Sequence, residues 1–282
     1  MLNTKKIAVI GYGVMGEAIL SGLIKKGGIQ PQQITSSGPR EERRNELVKQ
    51  YGIQVVKDNL EAVTGSEVVI LAVKPQKIQS AIKGLKGKIP ANAVVISIVA
   101  GVSIELLSKM LGHLAIVRAM PNTPARIGEG ITVWAGSQHV SKEQQELARQ
   151  SLQCLGIELF VEEESYLDMA TALSGTGPAY VFLFMEALID SGVHMGFPRR
   201  IAEELVVQTL LGSVEYYKSI SEHPAAMRNQ VTSPGGTSAE ALYYLEKAGF
   251  RTAISRAVWA AYQRSLELGA GQNRMIKENE NA

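Results

Sequence analysis

Ile7-Ala8-Val9-Ile10-Gly11-Tyr12-Gly13-Val14-Met15-Gly16 runs from an unbroken apolar tetrad straight into a glycine-rich turn. The tetrad reads as a strand covered on both faces. G-x-G-x-x-G is a weak signal by itself, but between a strand and a helix it becomes the fingerprint of a dinucleotide-binding turn. Gly11 permits the tight turn, Gly13 lets a pyrophosphate approach the backbone, and Gly16 allows close helix–sheet packing. Tyr12, Val14 and Met15 complete the cofactor-binding turn, where a helix N-terminus offers free N–H groups to phosphate oxygens.

Outward from this turn, short apolar runs alternate with amphipathic segments. Strands are expected at Ile34–Ser36, Val68–Val73, Val94–Ile98, Leu114–Met120 (with one inserted arginine), Ile131–Ala135 and Ile157–Val161. Helices are expected at Val14–Lys26, Glu41–Tyr51 and Lys142–Leu155. Strands alternating with helices imply right-handed crossovers and a mainly parallel α/β sheet of the Rossmann type. After Glu162-Glu163-Glu164 the texture changes to helices at Tyr166–Ser191, Pro198–Ser219, Ala239–Ala248 and Phe250–Leu268, with a frayed polar tail from Gly271. The expected domains are therefore 1–163, binding a dinucleotide, and 164–282, all-helical. Ala179-Tyr-Val-Phe-Leu-Phe-Met185 is apolar on every face. Such a helix needs cover all round, which predicts a core completed by a second copy.

Composition narrows the function. The 282 residues fit two domains at about 150 residues each. Lys and Arg total 29 against 27 Asp and Glu, a net charge of +2 with no basic cluster, which argues against a nucleic-acid partner. The lone Cys154 excludes a disulfide framework, suits a reducing compartment, and reads as a small buried apolar residue. The apolar run after Lys5-Lys6 is too short for a signal peptide. Ala179–Met185 is far below the roughly 18 residues of a membrane span. A soluble, cytoplasmic protein is expected. The four histidines are scattered without metal-ligand spacing, so no metal is expected.

The residues also indicate which dinucleotide. An NAD site places Asp or Glu about 20 residues beyond the glycines. Here Ser36-Ser37-Gly38-Pro39-Arg40 closes the second strand. Hydroxyls and a guanidinium at Ser36, Ser37 and Arg40 suit a 2′-phosphate, which predicts NADP, with NAD as the alternative. Beyond later strands lie Lys74-Pro75 and Pro121-Asn122-Thr123-Pro124, with Asn122 able to offer an amide to a nicotinamide. Ser233-Pro-Gly-Gly-Thr-Ser238 precedes a helix. It reads either as a simple Thr237/Glu240 capping box or as a carboxylate-sized anion site.

Four segments carry a family resemblance: Ala72-Val73-Lys74-Pro75, Met120-Pro-Asn-Thr-Pro124, Ser174-Gly-Thr176-Gly-Pro-Ala-Tyr180 and Val231-Thr-Ser-Pro-Gly-Gly-Thr237. With them the chain resembles the pyrroline-5-carboxylate reductases over nearly its full length. The resemblance implies an N-terminal Rossmann domain and a C-terminal dimerisation domain, with homodimers that can assemble into decamers. It implies that Ala72, Val73, Asn59, Lys74, Pro75, Ala100 and Gly101 lie along the cofactor. It places Glu164, Thr176, Ser233, Gly235, Gly236, Thr237 and Ser238 around the substrate, partly across the dimer, with Ser238 as the catalytic hydroxyl. The implied reaction is reduction of 1-pyrroline-5-carboxylate to L-proline, the last step of proline biosynthesis. Ser238 stands where the family usually has threonine, and Gln230 where asparagine is common.

Two other readings share these signals. β-Hydroxyacid dehydrogenases also join a Rossmann domain to helices, but they carry a lysine where this chain has Val181. A non-catalytic nucleotide-sensing protein would share only the cofactor half.

Overall fold

The computed structural model describes residues 1–220 and 222–280, with side chains to residue 271. Its strands are β1 (Ile7–Ile10), β2 (Ile34–Ser37), β3 (Gln54–Val56), β4 (Val68–Leu71), β5 (Val94–Ser97), β6 (Ile116–Met120), β7 (Gly130–Gly136) and β8 (Gly156–Phe160). Its helices are α1 (Val14–Lys25), α2 (Glu41–Tyr51), α3 (Asn59–Val63), α4 (Ile78–Ile82), α5 (Ile104–Leu111), α6 (Lys142–Gln153), α7 (Tyr166–Ala170), α8 (Gly177–His194), α9 (Arg199–Ile220), α10 (Pro224–Gln230), α11 (Thr237–Lys247) and α12 (Phe250–Glu280).

The strands form one sheet in the order β3-β2-β1-β4-β5-β6-β7-β8. All neighbours are parallel except β6 and β7. The two-residue period of each strand divides its side chains between two cores. Ile7, Val9, Val68, Ile70, Val94 and Ile96 face α1, α2 and α6. Ala8, Ile10, Val69, Leu71 and Val95 face α3, α4 and α5. That two-sided cover is why these strands read as continuous apolar runs. Helix ends carry local signals: Ser141 and Gln144 form a reciprocal capping box on α6, and Ser103 Oγ accepts from Leu106 N at 3.2 Å on α5.

Cys154 closes α6 inside the first core. Burial pushes its thiol up to about 11. Its backbone and side chain press on Gly22 and Gly27, where a Cβ would come within 2.6 and 2.7 Å of neighbouring atoms.

Several details differ from the sequence reading. The three-residue β3 and the five-residue α3 and α4 are too short to leave a periodic signature. The helix expected over Tyr166–Ser191 is interrupted by a π-type turn, with Thr176 N–H donating to Thr171 O at 2.8 Å before α8 begins. The tail expected to fray from Gly271 continues α12 to Glu280, with only 281–282 outside the described residues there.

Packing divides the chain into two compact units, Met1–Thr176 with Ala261–Ala282, and Gly177–Ala260. This differs from the 163/164 division. Leu167 of α7 is buried with Val133 and Ala135 of β7, which draws residues beyond 163 into the sheet unit.

The second unit has almost no interior. Gly192 and Ala202 are the buried residues of α8 and α9, and a Cβ on Gly192 would sit 3.0 Å from that of Ala202. Phe182, Leu183 and Trp259 are 61%, 67% and 64% exposed. The helical run Tyr166–His194, 29 residues, is long and apolar enough by length and composition alone to cross a membrane. The unbroken stretch Ala179–Met185 understates that property, because the polar residues flanking it are few and spaced.

Candidate active site

The order of β2-β1-β4 reverses the direction of chain winding at β1. The crevice beyond the strands' carboxyl ends at such a switch point is where α/β sheets bind ligands. A cleft of about 580 Å3 lies there, lined by residues of the β1–α1 turn, the ends of β2 and β3, and the segment after β4. Gly11 has φ +92°, and a Cβ on it would lie 2.7 Å from Val73 Cγ1 and 2.9 Å from Ala72 O. At Gly16 a Cβ would lie 2.2 Å from Gly11 O. Gly13 is the opposite case: nothing lies within 4 Å of the position its Cβ would take. It caps α1 without any side-chain hydrogen bond, so the N–H groups of Val14 and Met15 stay available at the helix end. A void beside free donors fits a pyrophosphate. The Met15 side chain packs on the core, whereas that of Val14 is exposed.

The β2 end corrects part of the sequence reading. Ser36 is fully buried and its hydroxyl donates to Val9 O at 3.0 Å, so it does not face the cleft. Ser37 lines the cleft, and its Oγ is buried without a hydrogen-bond partner. Tyr12 is a core residue whose hydroxyl accepts from Arg40 N and donates to Arg40 O, both at 3.1 Å, and its ring fills the space a Cβ on Gly38 would need. Arg44 donates to Gly38 O and Pro39 O. Arg43 pairs with Glu46 and Glu17, which hold its positive charge more firmly. Arg40 is left with its guanidinium free of any ion pair among the described residues.

Ala72, Val73 and Lys74 line the same cleft, and Pro75 opens the short turn beyond it. Asn59 also lines it, held by a bond from Nδ2 to Ala81 O of 2.6 Å. Lys57 and Lys77 join Arg40 and Lys74 in a wall that holds four cations and no carboxylate. Lys57 follows β3 and Lys77 precedes α4, two elements without a periodic signature, so neither lysine stood out from the sequence.

Three expected positions lie elsewhere. Ala100 and Gly101 do not line the cleft, and Gly101 (φ +73°) instead abuts the Gly269 backbone, where a Cβ would come within 3.2 Å. The Asn122 amide is committed at both ends, donating to Ser174 O at 3.2 Å and accepting from Ile131 N at 3.0 Å. It clamps the loop after β6 to Ile131 and Ser174.

Glu164 is likewise engaged. Its Oε1 accepts from Arg118 Nη1 at 3.0 Å and from Ile104 N, at the start of α5, at 2.9 Å. Arg118 also reaches Asp168 at 3.5 Å, and Asp168 accepts from Ser265 Oγ at 2.7 Å. The arginine inserted in β6 thus ties α5, α7 and α12 to the sheet. Thr176 Oγ donates to Thr171 O at 2.8 Å and closes the π-type turn.

In the second unit, Ser233, Gly235, Gly236, Thr237 and Ser238 come together at the start of α11. Gly235 has φ +71°, the left-handed region that glycine supplies. Gly236, not a hydroxyl residue, is the N-cap, and no side chain caps the helix. The capping box of Thr237 and Glu240 is therefore absent. Gly236 N–H donates to Ser233 O at 3.0 Å, which leaves the N–H groups of Thr237 and Ser238 as the first-turn donors. Among the described residues no group of three or more His, Cys, Asp or Glu could hold a metal.

A parallel sheet, a glycine turn at its switch point and a carboxylate-free cationic cleft define an NAD(P)-dependent oxidoreductase with a Rossmann domain. The family model described as NADP oxidoreductase, coenzyme F420-dependent, matches residues 6–101, and that described as pyrroline-5-carboxylate reductase dimerisation matches 164–268. The chain is 46% identical to a pyrroline-5-carboxylate reductase of Synechocystis over 94% of this chain and 98% of that one. A solved pyrroline carboxylate reductase of Plasmodium falciparum with NADP bound superposes with TM-score 0.87 at 33% identity, covering 95% of this chain and 99% of that one. One from Coxiella burnetii gives 0.87 at 35% identity, covering 94% and 99%. The chain belongs to the pyrroline-5-carboxylate reductase family.

The Arg118 junction yields a direct expectation. Arg118→Met removes the buried cation between two partly buried carboxylates and leaves Glu164 with only the Ile104 N–H and Asp168 with only the Ser265 hydroxyl. It should lower stability by about 3 kcal/mol in denaturant titration, and an unchanged midpoint would show that the junction holds nothing together.

Proposed function

We propose that this enzyme reduces 1-pyrroline-5-carboxylate to L-proline, taking hydride from NADPH in preference to NADH, as the closing step of proline biosynthesis. Similarity to such reductases over both the cofactor half and the dimerisation half carries this reading. When bound, NADPH supplies hydride from nicotinamide C4 to C5 of the cyclic imine. The residues of the chain hold and orient. Gly13, Val14 and Met15 present N–H groups to the pyrophosphate, Ser37 and Arg40 meet the 2′-phosphate, and Asn59 and Ala72–Pro75 flank the cofactor. The substrate carboxylate rests on the N–H groups of Thr237 and Ser238, where the start of α11 favours an anion. Ser238 directs its hydroxyl at the ring nitrogen.

This chemistry accounts for a site without a strong general acid. A protonated imine already carries positive charge, and hydride addition neutralises it to an amine. Carbonyl reduction would instead build an alkoxide that needs a proton or cation. Glu164 and Asn122 act in this reading as supports behind the pocket wall, since their polar atoms are already bonded.

We assign the exposed apolar helices to homodimerisation. A helical unit with so few buried residues is not stable alone in water, and a second copy supplies the missing cover. The exposed apolar surface supports a dimer; assembly into decamers, which the resemblance also implies, has no such support from it. A single buried cysteine suits a reducing cytoplasm.

Oxidation of reduced nicotinamide by this protein should depend on pyrroline-5-carboxylate and run at lower KM with NADPH. Arg40→Ala should raise KM for NADPH about tenfold and leave that for NADH unchanged; equal loss for both contradicts the 2′-phosphate assignment. Ser238→Ala should lower kcat/KM roughly 5- to 150-fold with an unchanged melting temperature, and Ser238→Thr should keep activity. Intact kinetics in the alanine variant would remove Ser238 from the site. Light scattering should return at least twice 30.5 kDa, and a monomer mass at micromolar concentration would refute the dimer.

A further inference from the structure

We propose that Lys57 is a specificity-determining cofactor contact, its ammonium closing with the Arg40 guanidinium on the ribose 2′-phosphate of NADPH. This rests on the cofactor reading above and adds a residue to it. β2 and β3 run parallel with Ser37 opposite Val56, so their carboxyl ends stand side by side. Gly38 N–H donates to Val56 O at 3.2 Å, which fixes the residue after β3 beside the Gly38–Arg40 loop. Lys57 and Arg40 both line the cleft.

Lys74 and Lys77 line the cleft beyond β4; at the ends of β2 and β3 the neighbouring charges leave these two cations free. Arg43 is spent on Glu17 and Glu46, and Arg44 on the carbonyls of Gly38 and Pro39. The neighbouring acid, Asp58, turns its carboxylate to the start of α3, accepting from Leu60 N at 3.0 Å, and does not line the cleft. Neither Arg40 nor Lys57 has an ion-pair partner among the described residues. The Ser37 hydroxyl is buried in the wall of the same cleft without a hydrogen-bond partner. A buried hydroxyl left unpaired is rare in native folds; Thr132 carries the other one among the described residues, and of the two only Ser37 belongs to the cleft lining. A planar fork, a mobile point charge and a hydroxyl match a phosphomonoester dianion. NADH offers only a ribose hydroxyl there, so the pair distinguishes the two cofactors.

Dissociation constants for NADPH and NADH, measured without substrate by calorimetry on wild type, Lys57→Ala and Lys57→Arg, test this, with 2′-AMP and 5′-AMP as fragment probes. Lys57 is exposed, so melting temperatures should not move. Lys57→Ala should weaken NADPH and 2′-AMP about tenfold, leave NADH and 5′-AMP unchanged, and reduce the salt dependence of NADPH binding. Lys57→Arg should restore most of the loss. Wild-type preference for NADPH that survives intact in Lys57→Ala, or equal weakening of both cofactors, overturns the assignment of Lys57 while leaving the cofactor reading in place. Wild type binding NADPH and NADH alike overturns both.

Discussion

The close approach of backbone at Gly11, Gly16 and Ala72 is the constraint on which the cofactor half depends. A side chain at Gly16 would overlap the Gly11 carbonyl, and one at Gly11 would overlap Val73 and the Ala72 carbonyl. With both absent, α1 begins hard against the ends of β1 and β4 and directs its free N–H groups into the switch-point crevice. The crevice then inherits its walls from the strands on either side. β2 brings Ser37 and Arg40, β3 brings Lys57, and β4 brings Ala72–Lys74. Tyr12, the residue between two of the glycines, pins the Arg40 backbone through its hydroxyl. One turn thus sets both the phosphate donors and the Gly38–Arg40 loop to which the proposed preference for NADPH is assigned.

The helical half obeys a different constraint. α8 and α9 meet through Gly192 and Ala202 and leave their large side chains outward, so hydrophobic burial within one copy is too small to offset chain entropy. In the proposed dimer, stability of that unit and association of two copies become one process. The Ser233–Ser238 loop is carried by this unit, while Arg118, Glu164 and Asp168 anchor α7 and α12 on the sheet unit. The junction uses charge where the rest of the sheet uses apolar packing, which is why the arginine interrupts β6.

Much of this was legible in the sequence because it rests on local pattern. The β1–α1 turn, the doubly covered strands, and the long helices follow from glycine spacing and periodicity. What escaped depends on contacts distant along the chain. Ser36 and Ser37 look equivalent as letters, yet strand alternation turns one hydroxyl to the Val9 carbonyl and the other into the cleft wall. Asn122 sits in a family-bearing segment and Glu164 where the texture changes, but their polar atoms are engaged by Ile131, Ser174, Arg118 and Ile104. Gly101 takes φ +73° with the Gly269 backbone against it, a contact 168 residues away that no local pattern announces. Lys57 was hidden by a strand of three residues. A possible cap at Thr237 was open on sequence, and Gly236 takes that role instead.

The central claim is that the crevice made by the β1–α1 turn is where this enzyme holds NADPH. Hydrogen–deuterium exchange of the intact protein with and without NADPH tests it most directly. The account predicts slowed exchange confined in the sheet unit to peptides covering residues 11–17, 37–40, 57–59 and 72–77. Protection centred instead on the opposite, amino-terminal edge of the sheet, with those peptides unchanged, would contradict it.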